Sequence, residues 1–287
     1  MGPCHYVKAI PRSIVVGVLL AAALFVTMAF TEEAASAQEL VVGATSLVSS
    51  LDPREVRNQA EAFLRAQLYE PLFRVNSAFS LEPVLAESWE MQNDALVVKL
   101  RKDVKFHNGA EFTAEDVQYS SQRYAERQKL NIEAVEIIDQ YTVRFSFKDK
   151  QGMMLLSTAR VYVLCKKCTE AQGDEELKWR PPIGTGPYVY HNHVIGLSVR
   201  LTRASSHWRR RIAEANVDRI VLNSIPAVTT LVRSLQSNEV HMALGVGADD
   251  LPPAWLIPSP FGEVAVIPQK VYYSGDDPSM ATVRIKQ

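Results

Sequence analysis

Leu81 to Tyr124 reads LEPVLAESWEMQNDALVVKLRKDVKFHNGAEFTAEDVQYSSQRY. Leu96, Val98 and Leu100 alternate with charged neighbours Lys99 and Arg101, the period of a half-buried strand. Phe106-His107-Asn108-Gly109-Ala110 follows, and Asn-Gly marks a turn. Thr113 then precedes Ala114, Glu115 and Asp116. A threonine hydroxyl can cap a helix, and acids in the first turn suit its positive end. The stretch therefore predicts strand, turn and capped helix.

The order of LAESWE, a short polar gap and an alternating strand ending LRKDVKFHNGAEFTAEDV resembles the signature of family 5 extracytoplasmic solute-binding proteins, the peptide- and nickel-type receptors of ABC importers. A second run, Pro182-Ile183-Gly184-Thr185-Gly186-Pro187-Tyr188, resembles that family's GTGPY motif. Tyr69-Glu70-Pro71-Leu72 and His207-Trp208 stand where the family carries a YEPL-like run and an aromatic pair. Gln236-Ser237-Asn238-Glu239-Val240-His241 follows its LQSGEVD pattern with two departures. Asn238 replaces Gly, and tolerates a left-handed turn. His241 replaces the usual acid, so no role of that acid is carried over.

The resemblance implies an α/β, periplasmic-binding-protein type II-like fold with mixed sheets. It also implies a discontinuous first domain, residues 38–69 and 187–275, with a small inserted domain, residues 70–186. Full members are nearly twice as long, so the third, closing domain is expected to be absent, with residues 276–287 as its start. The chain would then be C-terminally truncated. Hinge closure needs two lobes, and one lobe alone would leave an apolar face uncovered.

Outward from that stretch, the N-terminus looks like a targeting segment. Lys8 and Arg12 precede an uncharged apolar run from Ile14 to Phe30, and Ala35-Ser36-Ala37 offers small residues for cleavage. Met1–Ala37 is expected to be a signal peptide, leaving a periplasmic product. An uncleaved anchor is the alternative, since the run is near the shortest that spans a bilayer. Net charge is −1, which argues against nucleic acid as a partner. Hydrophobic content of 47% permits a globular core.

Glu39 to Ala44 reads as a strand and Arg54 to Leu68 as an amphipathic helix, with Ala60, Phe63, Leu64 and Leu68 at helical spacing. By resemblance the first strand's end faces the ligand cleft, making Thr45, Ser46 and Asp52 ligand candidates. Alternatively, Asp52 caps the helix. Gly184, Thr185 and Gly186 are either a structural crossover, with glycines chosen for unusual backbone angles, or ligand contacts. Gln140 to Lys148 and Leu197 to Thr202 alternate as strands, and Val217 to Ile225 is another. Met153 to Leu164 is apolar and fits buried helix or strand. Thr169 to Lys178 fits a loop or short helix. Pro226 starts a helix with Val228, Leu231, Val232 and Leu235 on one face. Val264 to Tyr273 reads as a last strand, and Ala281 to Gln287 resembles the start of the family's VRQA-type helix.

Several other patterns invite chemistry. Cys165 and Cys168 fit a disulfide in an oxidising compartment, with free thiols, a redox pair or a metal site as alternatives. His191 and His193 would share one face of a regular strand, enough for a weak two-ligand metal site. Surface histidines are the plainer reading, and no metal or cofactor is assigned. Asp249-Asp250 and Asp276-Asp277 lack calcium-loop spacing. No Gly-x-Ser-x-Gly elbow is present, so an exported hydrolase is disfavoured and no enzyme activity is expected.

The expected function is the substrate-binding component of an ABC transporter. It would bind a solute, a peptide by preference, and deliver it to the membrane permease. The alternative is an exported pseudo-receptor or interaction protein without transport.

Overall fold

The computed structural model describes residues 38–75, 80–149, 154–173, 177–209 and 217–247, together with short strands further on. The chain divides into Met1–Ala37 and one compact unit, Gln38–Gln287. The expected export segment and both Asp-Asp pairs lie outside the described residues.

β1 (Glu39–Ala44) leads into α1 (Gln59–Leu68), then β2 (Phe73–Val75) and β3 (Leu81–Pro83). The stretch that opened the analysis forms β4 (Ala86–Gln92), β5 (Ala95–Leu100) and α2 (Ala114–Gln128). β6 (Ala134–Asp139), β7 (Thr142–Ser146), α3 (Met154–Ala159) and α4 (Lys166–Gln172) follow. Then come β8 (Tyr188–Val194), β9 (Ser198–Arg203), β10 (Arg219–Ser224), α5 (Val228–Gln236) and β11 (Met242–Leu244). β12 (Leu256–Ile257), β13 (Ala265–Val266), β14 (Val271–Ser274) and β15 (Thr282–Ile285) complete the described strands.

The larger sheet has seven strands in the order β12-β13-β11-β1-β10-β9-β8. β1 runs parallel to β10 and β11, and β9 is antiparallel to β8 and β10, so the sheet is mixed. Its core gathers Leu40, Val42, Leu64, Leu68, Leu201 and Leu222. A four-stranded antiparallel sheet, β4-β5-β7-β6, carries a second core. Leu96, Val98 and Leu100 on β5 face inward there with Phe145, Phe112, Val117 and Tyr124. The alternation read from β5 is real on the inner face. Val97 on the opposite face is also buried, so the strand is covered more fully than half-burial implies.

Asp116 reaches back from the first turn of α2, where its carboxylate accepts from Thr113 N and Oγ1. The Asn-Gly turn also forms, with Gly109 at φ 83°. Asn238 adopts φ 61°, the left-handed conformation its side chain tolerates.

Other expectations are corrected. α1 begins at Gln59, not Arg54, because Asn58 is its cap and accepts from Glu61 N at 3.0 Å. Asp52 does not cap it. Its carboxylate takes Arg54 N, Nε and Nη2 instead, closing a buried turn before the helix starts. Met153 to Leu164 is neither all helix nor all strand: α3 ends at Ala159, and Tyr162 bridges to Pro71 in extended chain. Of the Thr169–Lys178 segment, expected as loop or short helix, Thr169–Gln172 lies in α4. The expected strand over 264–273 is split between β13 and β14, and Thr282–Ile285 is a strand paired with β14, not a helix.

Candidate functional site

β1, β10 and β11 are parallel and end at one edge of the large sheet, at Ala44, Ser224 and Leu244. Backbone polar groups at the carboxyl ends of parallel strands run out of ladder partners there, which is where such sheets bind ligands. Thr45 lies at this edge. Its hydroxyl donates to Gly245 O at 2.9 Å, and Thr45 N donates to Leu244 O. Gly245 N donates to Gln59 Oε1 at 2.6 Å, tying the start of α1 to the same edge. Gly245 has φ 76°, and a Cβ there would meet Thr45 Oγ1 at 2.3 Å.

Ser46 is half-buried beside Leu47, which is 51% exposed. The loop that follows is held by Glu61, whose Oε1 accepts from Ser49 N and Oγ while Oε2 accepts from Arg57 N. A carboxylate in the first turn of α1 also suits the helix's positive end. The β8–β9 hairpin turns at the same edge, since Ser224 N donates to Leu197 O. Its tip exposes Val194, Ile195 and Leu197. Beside it the His193 ring stacks on Trp179 at 5.4 Å, and Tyr190 Oη lies 2.6 Å from His193 Nδ1. The edge thus offers hydroxyls, backbone groups and apolar surface, the mix that lines binding pockets.

The six ligand candidates do not converge. Thr45 and Ser46 stand by the N-terminal end of α1, whereas Gly184, Thr185 and Gly186 pack on its C-terminal end. The helix separates them by roughly 14 Å along its axis. Gly184, Thr185 and Gly186 are all buried. A Cβ on Gly184 would lie 2.0 Å from Leu68 O, and one on Gly186 would lie 2.3 Å from Gln67 O. Neither glycine has a positive φ, so the unusual-angle reading is corrected: close backbone approach is what demands them. Asp52 is 6% exposed and spends its carboxylate on Arg54.

Sequence reasoning passed over His107, Glu70 and Gln59. His107 belongs to the Asn-Gly turn yet clasps the Gly184–Gly186 run. Its backbone N donates to Gly184 O, its Nδ1 accepts from Gly184 N at 3.3 Å, and its Nε2 lies 2.9 Å from Gly186 O. Burial pushes its pKa down, and the Gly186 contact opposes this only in part. Glu70 is buried and accepts from Trp208 Nε1 at 2.7 Å. Burial would raise the Glu70 pKa, but His207, Arg209 and Trp208 outweigh it and hold the carboxyl below its ordinary value. Nothing local signals these contacts, because the partners are 77 to 138 residues apart.

Cys165 and Cys168 are joined as a disulfide at the start of α4, with Cα atoms 5.2 Å apart. The ladder shifts register between Tyr190 and Asn192, so the strict alternation behind the His191–His193 reading does not hold there, and His193 meets Tyr190 and Trp179 instead. Among the described residues, no three His, Cys, Asp or Glu side chains gather as metal donors. A cavity of about 620 Å³ lies between the start of α2 and Cys165–Lys167, away from the strand edge.

Residues 80–261 match the family described as bacterial extracellular solute-binding proteins, family 5 middle. The glutathione-binding protein GsiB of Escherichia coli O1:K1 / APEC is 27% identical over 251 residues, 83% of this chain and 47% of its own. Di/tripeptide-binding protein 2 of Pseudomonas aeruginosa is 30% identical over 63% of this chain and 40% of its own. The chain therefore spans less than half the length of these curated relatives. Among solved structures, a dipeptide-binding protein from Pseudoalteromonas sp. SM9913 in complex with Met-Leu aligns with TM-score 0.67 at 22% identity, over 75% of this chain and 48% of that one. The mannopinic acid complex of MoaA from A. tumefacien R10 aligns at 0.65 and 28% identity, over 73% of this chain and 45% of that one. The fold is that of type II periplasmic binding proteins. A match across more than half its length makes this chain a member of the family 5 bacterial extracellular solute-binding proteins.

Proposed function

We propose that the chain contributes the strand-edge half of a binding site for a short peptide, in a solute-binding protein that serves an ABC importer. Export to the periplasm by cleavage after Ala37 is part of the same reading. The observation that carries it is the edge formed by β1, β10 and β11, where Thr45 is bonded to Gly245 and Gly245 to Gln59 beside exposed apolar groups. Relatives named for glutathione and for di- and tripeptides support a peptide-like solute. The small residues Ala35-Ser36-Ala37 after the apolar run support the cleavage site. Such a protein performs no chemistry; it works by binding one conformation better with ligand present.

The test is calorimetric titration of the purified protein with dipeptides, tripeptides and glutathione, with nickel–histidine and sugars as comparators. Saturable heat with the peptides, weakened about tenfold or more by Thr45→Val, is the expected outcome; tenfold corresponds to ~1.4 kcal/mol, one hydrogen bond's worth. Flat peptide titrations beside saturable binding of a comparator would overturn the peptide assignment. Flat titrations throughout would overturn solute binding by this chain.

A further inference from the structure

Cys165 and Cys168 are bridged across a sequence separation of only 3 residues. A disulfide restrains the unfolded chain more as the loop it closes lengthens, so a bridge this short adds little as a staple. The segment is also fixed without it. Leu164 N donates to Ser120 Oγ at 2.8 Å, Lys166 N to Asp116 Oδ1 at 2.9 Å, and Thr169 N to Cys165 O at 2.9 Å. Those bonds tie the Cys-Lys-Lys-Cys run to α2 and to its own first turn. Opening the sulfur–sulfur bond leaves them standing, which is what a reversible dithiol–disulfide couple requires.

The two sulfurs are not equivalent. Cys165 is 3% exposed and belongs to the smaller core, whereas Cys168 is half-buried and only packs against that core. Access decides which sulfur of a disulfide is attacked, and here an incoming thiolate meets Cys168 first. Each sulfur also has a donor to steady the charge it carries once the bond is cut. Cys168 N donates to Cys165 Sγ at 3.3 Å, and Asn108 Nδ2 donates to Cys168 Sγ at 3.1 Å. The cavity of about 620 Å³ beside Cys165–Lys167 gives these residues open space on one side in which to shift as the sulfurs separate.

We propose that Cys165–Cys168 is a thiol-exchange site for low-molecular-weight thiols, entered at Cys168. The sulfur is half-recessed beside the Asn108 side chain, a setting that a small thiol can enter without the matching surface a protein partner would need. A thiolate bonds to Cys168 Sγ, the Cys165–Cys168 bond breaks, and its electron pair stays on Cys165, which takes up the proton the thiol lost. A second thiolate then attacks the thiol-derived sulfur of this mixed disulfide, and Cys168 leaves and is protonated in turn. One protein disulfide and two thiols thus become two protein thiols and one small disulfide, with two electrons passing to the protein. The oxidised small molecule runs the same steps backwards. The exchange is stoichiometric and separate from solute binding at the strand edge.

Reduced glutathione is the probe. The whole folded protein is incubated with an excess of it at neutral pH without air, quenched with N-ethylmaleimide and digested with trypsin, which cuts after Lys166 and Lys167 and so separates the two cysteines. Glutathione should be found on Cys168 and maleimide on Cys165, in about tenfold excess over the reverse arrangement. Full reduction by dithiothreitol should leave the native tryptophan fluorescence unchanged, and oxidised glutathione should restore the bridge. Offered oxidised glutathione, Cys165→Ser should take it up on Cys168, and Cys168→Ser should not take it up on Cys165. A bridge that opens only after urea has unfolded the chain, or native fluorescence lost on reduction, overturns the exchange site. Glutathione mainly on Cys165, or equal uptake by the two variants, overturns entry at Cys168.

Discussion

Gly184 and Gly186 occupy sites where a single methyl group decides whether two chain segments can touch. The carbonyls of Gln67 and Leu68 end α1, and Gly186 N donates to Leu68 O at 3.1 Å. An added Cβ would meet backbone, which cannot rotate away as a side chain can. Gly186→Ala should therefore destabilise at the upper end of the 1–3 kcal/mol range for overpacking, or beyond it. A urea unfolding midpoint measures the loss, and a shift below about 0.5 kcal/mol would mean the crossing relaxes freely. The motif's place in the family pattern was legible, but the reason for its glycines was not. Composition suggests turn geometry, whereas a helix end pressing on the motif from over a hundred residues away leaves no local trace. Asp52 teaches the converse. It precedes a helix and has a capping side chain, yet Arg54 two residues on takes the carboxylate first.

α1 shows how the same competition sets an element's boundary. Arg54, Glu55 and Arg57 are acceptable helix residues, so periodicity extended the helix back over them. The Asp52–Arg54 turn removes the backbone from helical geometry, and Asn58 supplies the start. Asn58→Ala should cost about 1 kcal/mol, since Glu61 N would lose its cap acceptor. The consequence should reach the strand edge, because the next residue, Gln59, holds Gly245 N. Paired measurements of stability and peptide affinity check both parts; unchanged stability would mean that Glu61, gripping Ser49 and Arg57, sets the boundary alone. α2 was legible because its signals agree: threonine at the cap and acids in the first turn. The register of β8 was not legible, because a shift between Tyr190 and Asn192 is invisible to a period-two reading.

At the scale of the molecule, the family and the mixed-sheet architecture were legible because the Leu81–Tyr124 stretch and the Gly184–Gly186 run preserve order over many positions. The strand edge was only half legible: the position of Thr45 and Ser46 after the first strand could be read, while Gly245 and Gln59 arrive through long-range pairing. The beginning of the compact unit carries a last prediction. Gln38 O accepts from Asp218 N and Arg219 N, and Gln38 N donates to Asp218 Oδ2 at 3.1 Å. Asp218 Oδ1 accepts from Arg203 at 2.8 Å. If processing leaves Gln38 first, its ammonium group falls against a carboxylate already placed to receive it, a surface pair worth at most about 1 kcal/mol. Any sequence left before Gln38 would instead have to leave past that carboxylate. Trypsin distinguishes the two forms, because no Lys or Arg lies between Arg12 and Arg54. The exported protein should yield a peptide running from Gln38 to Arg54. A peptide from Ser13 to Arg54 would show that the apolar segment stays attached, and the chain would then be held at the membrane rather than released from it.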